Sequence, residues 1–399
     1  MFKGNRLINC MCHSTENLFN YRTSNLLRAA DDFYPSDDAS QPVHLAHVAY
    51  NSLFLGEIGT PDWDMFTSTH KDAGMHAAAR AVSGGPLYVS DRPGKHDPQL
   101  LQKLVLPDGT QLRCKGPGRP TRDALFTDPN TDGASALKIW NRNAHTGVVA
   151  AFNVQGSSWD RAVRAFAVDE KLSTVDVTTT VSASDVEGLV SAAGPVGSGG
   201  GGAVREAGVV VPVRAASVAG QLAAAEEERE AAQTNAAPQE AEAEEASGSS
   251  EGRPAAVIFG QRSRELRALG AKEAHSLTLA PREWELFTVS PVAHSGHASF
   301  APLGLVTMLN GGGAIVASAL TNPVGGAIGR SPQAIVSLSA SDTFGAYCSH
   351  APRLVRVDGR QVDDFEYSEA TGMLTVTLPR QAEPVELIID FPRGSGRRP

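Results

Sequence analysis

The texture of this chain changes from mixed α/β to all β near residue 105, and that change limits the fold more than any other feature. Residues 1–105 alternate short apolar runs with helical patterns. Residues 6–12 (Arg-Leu-Ile-Asn-Cys-Met-Cys) read as a buried strand, and residues 25–30 as another that ends at Asp31-Asp32. Residues 44–56 carry Val, Ala, Leu and Phe at helical spacing. Residues 72–83 are Ala-rich and helical, stopped by Gly84-Gly85, and residues 86–90 read as a short strand. Asp97-Pro98 is an N-cap followed by proline in the first turn. Strand and helix in this rhythm predict parallel β/α units. Such units place chemistry at the carboxyl ends of the strands, where Asp31, Asp32 and Asp91 fall.

Beyond residue 105 the pattern is all β. Residues 148–153, 174–181, 255–259, 284–289, 303–309, 334–338 and 373–378 are short β-prone runs punctuated by Gly, Asp and Pro. They predict an antiparallel sandwich. Residues 356–362 read as a hairpin turning on Asp358-Gly359. A Gly, Ala and Glu block interrupts these runs at residues 191–253. It carries too little apolar surface to offset the entropy of ordering it, so it is expected to be a disordered, solvated insertion, with at most a transient helix over 224–232. The chain thus divides into 1–105, α/β; 106–190 with 254–394, all β; and the insertion.

Composition excludes several function classes. The formal net charge is -9 with no basic stripe, which argues against a nucleic-acid partner. No apolar run reaches the roughly 20 residues that span a bilayer, so no membrane partner is expected. The four cysteines, Cys10, Cys12, Cys114 and Cys348, are too scattered for a disulfide framework, and no second ligand pair follows Cys-Met-Cys-His, so no metal is assigned. Residues 1–9 lack a signal-peptide core, and the cytoplasm is expected, with the plastid as the alternative.

Two segments carry chemistry. Leu-Leu-Arg-Ala-Ala-Asp-Asp-Phe-Tyr-Pro (26–35) and Pro-Asp-Trp-Asp-Met-Phe (61–66) set carboxylates beside aromatic residues at strand ends. Glycoside chemistry needs a carboxyl group to protonate a leaving oxygen, further polar groups on the hydroxyls, and an aromatic face against the apolar side of the ring.

These strings resemble the raffinose synthase, seed imbibition protein and alkaline α-galactosidase family, glycoside hydrolase family 36. So do Cys-Met-Cys-His (10–13), Ala-Tyr-Asn-Ser-Leu-Phe-Leu-Gly-Glu (49–57), His-Ala-Ala-Ala-Arg-Ala-Val (76–82), Tyr-Val-Ser-Asp-Arg-Pro-Gly (88–94) and Pro-Gly-Arg-Pro-Thr-Arg-Asp (117–123). Phe-Ala-Pro-Leu-Gly-Leu (300–305) and Phe-Gly-Ala-Tyr (344–347) extend the likeness into the last third. The resemblance implies the C-terminal part of a (β/α)8 TIM barrel, about strands 5–8, followed by an antiparallel β-sandwich. It implies retaining α-galactosyl transfer or hydrolysis on raffinose-family oligosaccharides, with galactinol, sucrose and raffinose as saccharide partners and no cofactor. The family's Arg-x-x-x-Asp pattern falls on Arg28 and Asp32, making Asp32 the acid/base, and Arg28 is read as orienting a carboxylate or a substrate hydroxyl. Asp31, Asp62, Trp63, Asp64, Asp91, Cys12 and His13 are the candidate substrate-binding residues, Trp63 as a stacking face.

The family's nucleophile is the Asp of a Lys-x-Asp pattern upstream of the acid/base. The one such pattern here, Lys95-His96-Asp97, lies downstream, and Asp97 reads as a helix cap. The nucleophile is therefore expected outside these residues, on a complementary N-terminal part. A non-catalytic carbohydrate-binding or interaction protein is the alternative. Donor, acceptor, and the choice between synthase and hydrolase stay open.

Overall fold

The computed structural model describes residues 7–11, 13–22, 24–189, 252–321 and 331–393. The low-complexity block up to residue 251, the helix read at 224–232 and Cys12 lie outside the described residues.

The first part is a run of parallel β/α units. Strand β1 (Ile8–Asn9) is followed by α1 (Thr15–Asn20), β2 (Leu26–Arg28), α2 (Ser40–Leu55), β3 (Thr60–Asp62) and α3 (Ala73–Ser83). The sheet order is β1-β2-β3, parallel throughout, with Leu26 opposite Thr60 and Arg28 opposite Asp62. Phe66 makes a further parallel bridge to Val89. The strand expected at residues 86–90 shrinks to that single bridge, because Pro86 has no N–H to give to a ladder. Three parallel strands and this bridge are what the described residues contain; no closed barrel is among them.

Local chemistry sets the helix ends. Asp37 Oδ1 accepts from the backbone N–H of Ala39 and Ser40 at 3.1 and 3.3 Å, which closes the turn that leads into α2. Asp97 Oδ1 accepts from Gln99 and Leu100 at 3.0 and 3.1 Å, which starts α4 (Pro98–Leu101). Helix α3 stops at Gly84, whose φ is 72°, and a Cβ there would collide with the Gly116 carbonyl oxygen. Gly84→Ala is therefore expected to cost about 2–4 kcal/mol, from left-handed strain plus overpacking. Thermal unfolding of the pair checks this, and an unchanged midpoint would contradict it.

From residue 119 onward the chain is antiparallel. A six-stranded sheet has the order Leu266–Leu269, Ala256–Gly260, Trp284–Pro291, Gly147–Phe152, Leu137–Arg142, Arg119–Pro120. Side chains alternate across it, as the two-residue period of a strand requires. Val148, Ala150, Phe152, Leu137, Ile139 and Leu286 share one core with Ala77, Ala78, Ala81 and Val82 of α3. Val149, Ile258, Phe287 and Val289 face a ribbon of Val177–Ser182 and Ala274–Leu279. The β/α units are thus welded onto the six-stranded sheet through α3.

The last part is a sandwich of two five-stranded sheets. Phe300, Phe344, Ala346, Leu374 and Val376 from one sheet enclose a common core with Ala334, Val336, Leu338, Leu387 and Ile389 from the other. The hairpin of Leu354–Val357 and Arg360–Val362 turns on Asp358 (φ 48°) and Gly359 (φ 76°), the left-handed pair that a two-residue turn requires. The strand read at 303–309 instead spans Ala298–Leu305, with a register shift between Pro302 and Gly304 (φ 85°) beyond which the ladder resumes at Gly304 and Leu305.

Candidate active site

Parallel pairing brings the two chemistry-bearing segments together. The Arg28 guanidinium, projecting from the end of β2, holds three carboxylates. Its Nε lies 3.1 Å from Asp62 Oδ2, its Nη2 2.7 Å from Asp64 Oδ1 and its Nη1 2.9 Å from Asp32 Oδ1. Asp62 and Asp64 are buried, whereas the Asp32 side chain is 56% exposed. Burial alone would lower the Arg28 pKa, but the charges of Asp64 and Asp62 outweigh it and raise it.

The buried carboxylates are fully occupied. Tyr88 Oη donates to Asp62 Oδ2 at 2.8 Å, and burial together with the Asp62 charge pushes its phenol up, so it remains a donor. Asp64 accepts from the backbone N–H of Phe33 and of Met65, each at 2.7 Å. The Phe33 bond ties the loop after β2 to the end of β3, and this loop carries Asp32. Asp64 adopts φ 62°, a strained conformation for a residue with a Cβ.

A second, fully buried cation holds that strained segment from behind. Arg80 of α3 donates to the carbonyl oxygens of Trp63 (2.6 Å), Met65 (3.0 Å) and Asp64 (3.3 Å). Its remaining donors meet His76 Nδ1 at 3.0 Å and His44 Nε2 at 3.2 Å. Burial pulls the Arg80 pKa down to about 10, so it stays charged at neutral pH. Both histidines must then be neutral acceptors. Burial and the Arg80 charge bring His44 down to about 3 and His76 well below its ordinary value. His44 Nδ1 donates to the Asp31 carbonyl at 2.9 Å, which fixes its tautomer.

This arrangement predicts acid sensitivity. Unfolded histidine titrates near 6.5. Folded His44 does so near 3, so the unfolded chain binds more protons between those values. The stabilisation is complete above about pH 6.5 and is lost as the pH falls. The slope is up to ~1.4 kcal/mol per pH unit for each histidine. Urea unfolding at pH 7, 6 and 5 should show a loss of about 2 kcal/mol or more by pH 5; a flat profile would contradict the cradle.

The remaining candidates fall in different surroundings. Trp63 is wholly buried, so no face of it is open to a sugar. Asp62 and Asp64 meet Arg28, Tyr88 and backbone N–H groups. The Asp91 side chain is buried, accepting from Ser68 N at 2.8 Å and pairing with His96 at 3.3 Å, which pins a loop. Asp31 is exposed beside Asp32 but turned towards His47, at 3.6 Å. His13 is exposed and is not joined to the Arg28 cluster. Cys12 lies outside the described residues. A hollow of 300 Å³ lined by Glu57, Gly59, Thr60, Arg113 and Lys115 sits at the amino end of β3, and none of these candidates lines it. Asp32 instead opens directly to solvent.

Arg80, His44 and Tyr88 were missed. Arg80 had a signal: it stands four residues after His76 in a run of alanines, so one helix face carries both polar groups into the core. No helix among the described residues is long and apolar enough to cross a membrane.

A probable galactinol–sucrose galactosyltransferase 6 of Arabidopsis thaliana is 36% identical over 386 residues, covering 96% of this chain and 43% of the relative. A probable galactinol–sucrose galactosyltransferase 1 of the same plant is 38% identical over 380 residues, covering 94% and 42%. Stachyose synthase of Pisum sativum is 32% identical over 389 residues, covering 95% and 38%. The chain therefore spans about two fifths of the length of these relatives. A solved isomalto-dextranase of Arthrobacter globiformis T6 with panose aligns at 13% identity and a TM-score of 0.33, over 97% of this chain and 59% of that one, too distant to bear weight. Residues 1–202 and 224–378 match the model of the family described as raffinose synthase or seed imbibition protein Sip1. The chain belongs to the raffinose synthase and seed imbibition protein family.

Proposed function

We propose that this chain carries the acid/base side of a retaining α-galactosyl-transfer site acting on raffinose-family oligosaccharides. One observation carries the reading. Arg28 binds three carboxylates at the carboxyl ends of adjacent parallel strands, and Asp32 alone of the three reaches solvent. In that role Asp32 protonates the departing oxygen of a galactinol-like donor and then takes the proton of the acceptor hydroxyl. Arg28 fixes the carboxylate, and Asp62, Asp64 and Tyr88 fix Arg28. β1–β3 and the bridge at Val89 are then late strands, about the fifth to eighth, of a (β/α)8 barrel within residues 1–105. Residues 106–190 and 254–394 are its C-terminal sandwich, and 191–253 a solvated insertion.

The reaction needs a second carboxyl about 5–5.5 Å from the first. The only Lys-x-Asp of the sequence ends in Asp97, which caps α4. The nucleophile must come from a complementary part, so these residues alone are expected to give no turnover. A fusion behind the amino-terminal portion of the Arabidopsis relative, supplied with galactinol and sucrose, is expected to transfer galactose. Transfer by these residues alone, or a folded fusion that gives none, would overturn the assignment. The same use of Asp97 as a cap favours a second reading, a non-catalytic saccharide-binding protein, which predicts binding by the fusion without transfer.

A further inference from the structure

The loop that carries Asp32 also touches an aromatic cluster that belongs to the β-rich part of the chain. Ser157–Asp160 and Ala165–Val168 form a two-stranded hairpin in which Trp159 pairs with Phe166. The hairpin lies against α2. Trp159 and Phe166 meet edge to face at 5.0 Å between ring centroids, and Phe166 lies 6.2 Å from the Tyr34 ring. Tyr34 follows Asp31 and Asp32 by two or three positions and feels both charges, which together with burial raise its phenol pKa. Large aromatic side chains usually bury their area. Here Trp159 is 46% and Tyr34 42% exposed.

We propose that Tyr34, Trp159 and Phe166 form a saccharide-binding platform that seats a pyranose ring beside Asp32. The ligand chemistry follows from what the surface offers. Trp159 and Tyr34 expose apolar ring surface, set at 72° and 51° to the Phe166 ring, to which the C–H face of a pyranose can pack. The exposed Asp31 and Asp32 carboxylates accept from its hydroxyls. An apolar protein segment would gain from the rings but would bring nothing for the two carboxylates. That the ring belongs to the acceptor rests on the reading of Asp32 as acid/base; the binding itself does not. The site also joins the two parts of the chain in one function, since the acid and Tyr34 come from the β/α units and Trp159 and Phe166 from the β-rich region.

Saturation-transfer NMR on the full chain with raffinose, and separately with sucrose, tests this. Saturable transfer to ring C–H protons is expected. Trp159→Ala should weaken binding by roughly tenfold or more, given the apolar area a stacked ring covers, and Phe166→Ala should weaken it less. Trp159→Phe should restore most of it, which separates stacking from loss of fold. Absence of saturable transfer in the wild type, or an unchanged affinity in Trp159→Ala, would overturn the proposal. These residues alone are expected to catalyse nothing, so the binding result stands or falls separately from the galactosyl-transfer assay.

Discussion

Arg28→Met is expected to destabilise the folded chain by about 3–5 kcal/mol, the usual cost of stripping one partner from a buried ion pair. Arg28 is itself only 12% exposed, and the two carboxylates it would abandon are 0% and 3% exposed. Tyr88 and the backbone N–H groups of Phe33 and Met65 would remain, but hydrogen bonds do not neutralise two buried negative charges. Asp32→Asn is the control. That carboxylate is largely solvated, so losing its pair with Arg28 should cost about 1 kcal/mol or less. Arg28→Lys should fall between, because an ammonium keeps the charge but cannot reach three carboxylates in a plane. Urea unfolding of the three variants measures the series. A loss under 1 kcal/mol for Arg28→Met would mean that Arg28 does not hold the site together.

The second large effect concerns rate. In a protein that contains both this half and a nucleophile, Asp32→Asn is expected to lower transfer from galactinol to sucrose by about 10³-fold, within the usual range for a general acid/base. The loss has a structure that a merely supporting residue cannot imitate. An alkoxide is a poor leaving group and needs the proton, whereas p-nitrophenolate leaves without one. The first step should therefore slow far less with p-nitrophenyl α-galactoside than with galactinol. The contrast also separates Asp32 from Asp62 and Asp64, whose replacement should act through stability and geometry and so penalise both donors alike.

The sequence carried local information well and register poorly. Asp358-Gly359 and Asp97-Pro98 announce themselves because turns and caps are decided by a few neighbouring residues. The valine, alanine and leucine spacing of α2 is equally local. The site is assembled otherwise. Arg28 meets Asp62 only because β2 and β3 pair parallel with those residues opposite, and nothing near either residue encodes that pairing. Asp62-Trp63-Asp64 illustrates the consequence. An aromatic between two acids reads the same whether the ring faces a sugar or the core. It faces the core here, because the carboxylates on either side turn towards Arg28. Arg80 was overlooked for a related reason. A guanidinium with no carboxylate in direct contact looks superfluous until the carbonyls of Trp63, Asp64 and Met65 are seen to converge on it. The Arg-x-x-x-Asp string occurs three times in the sequence, at Arg28–Asp32, Arg119–Asp123 and Arg360–Asp364, and only the first follows an apolar strand among the β/α units and runs on into Phe-Tyr-Pro. The string at Arg119–Asp123 shows why context mattered: there Arg119 pairs with Glu57, and Asp123 pairs with Lys138 at 2.7 Å.

The most direct test of Asp32 as acid/base is azide rescue with p-nitrophenyl α-galactoside, in the fusion carrying Asp32→Asn. Azide needs no base to attack the glycosyl-enzyme, so it should restore turnover and yield galactosyl azide, while the unsubstituted fusion gains little. Turnover that stays lost in azide, in a variant shown to be folded, would contradict the role assigned to Asp32.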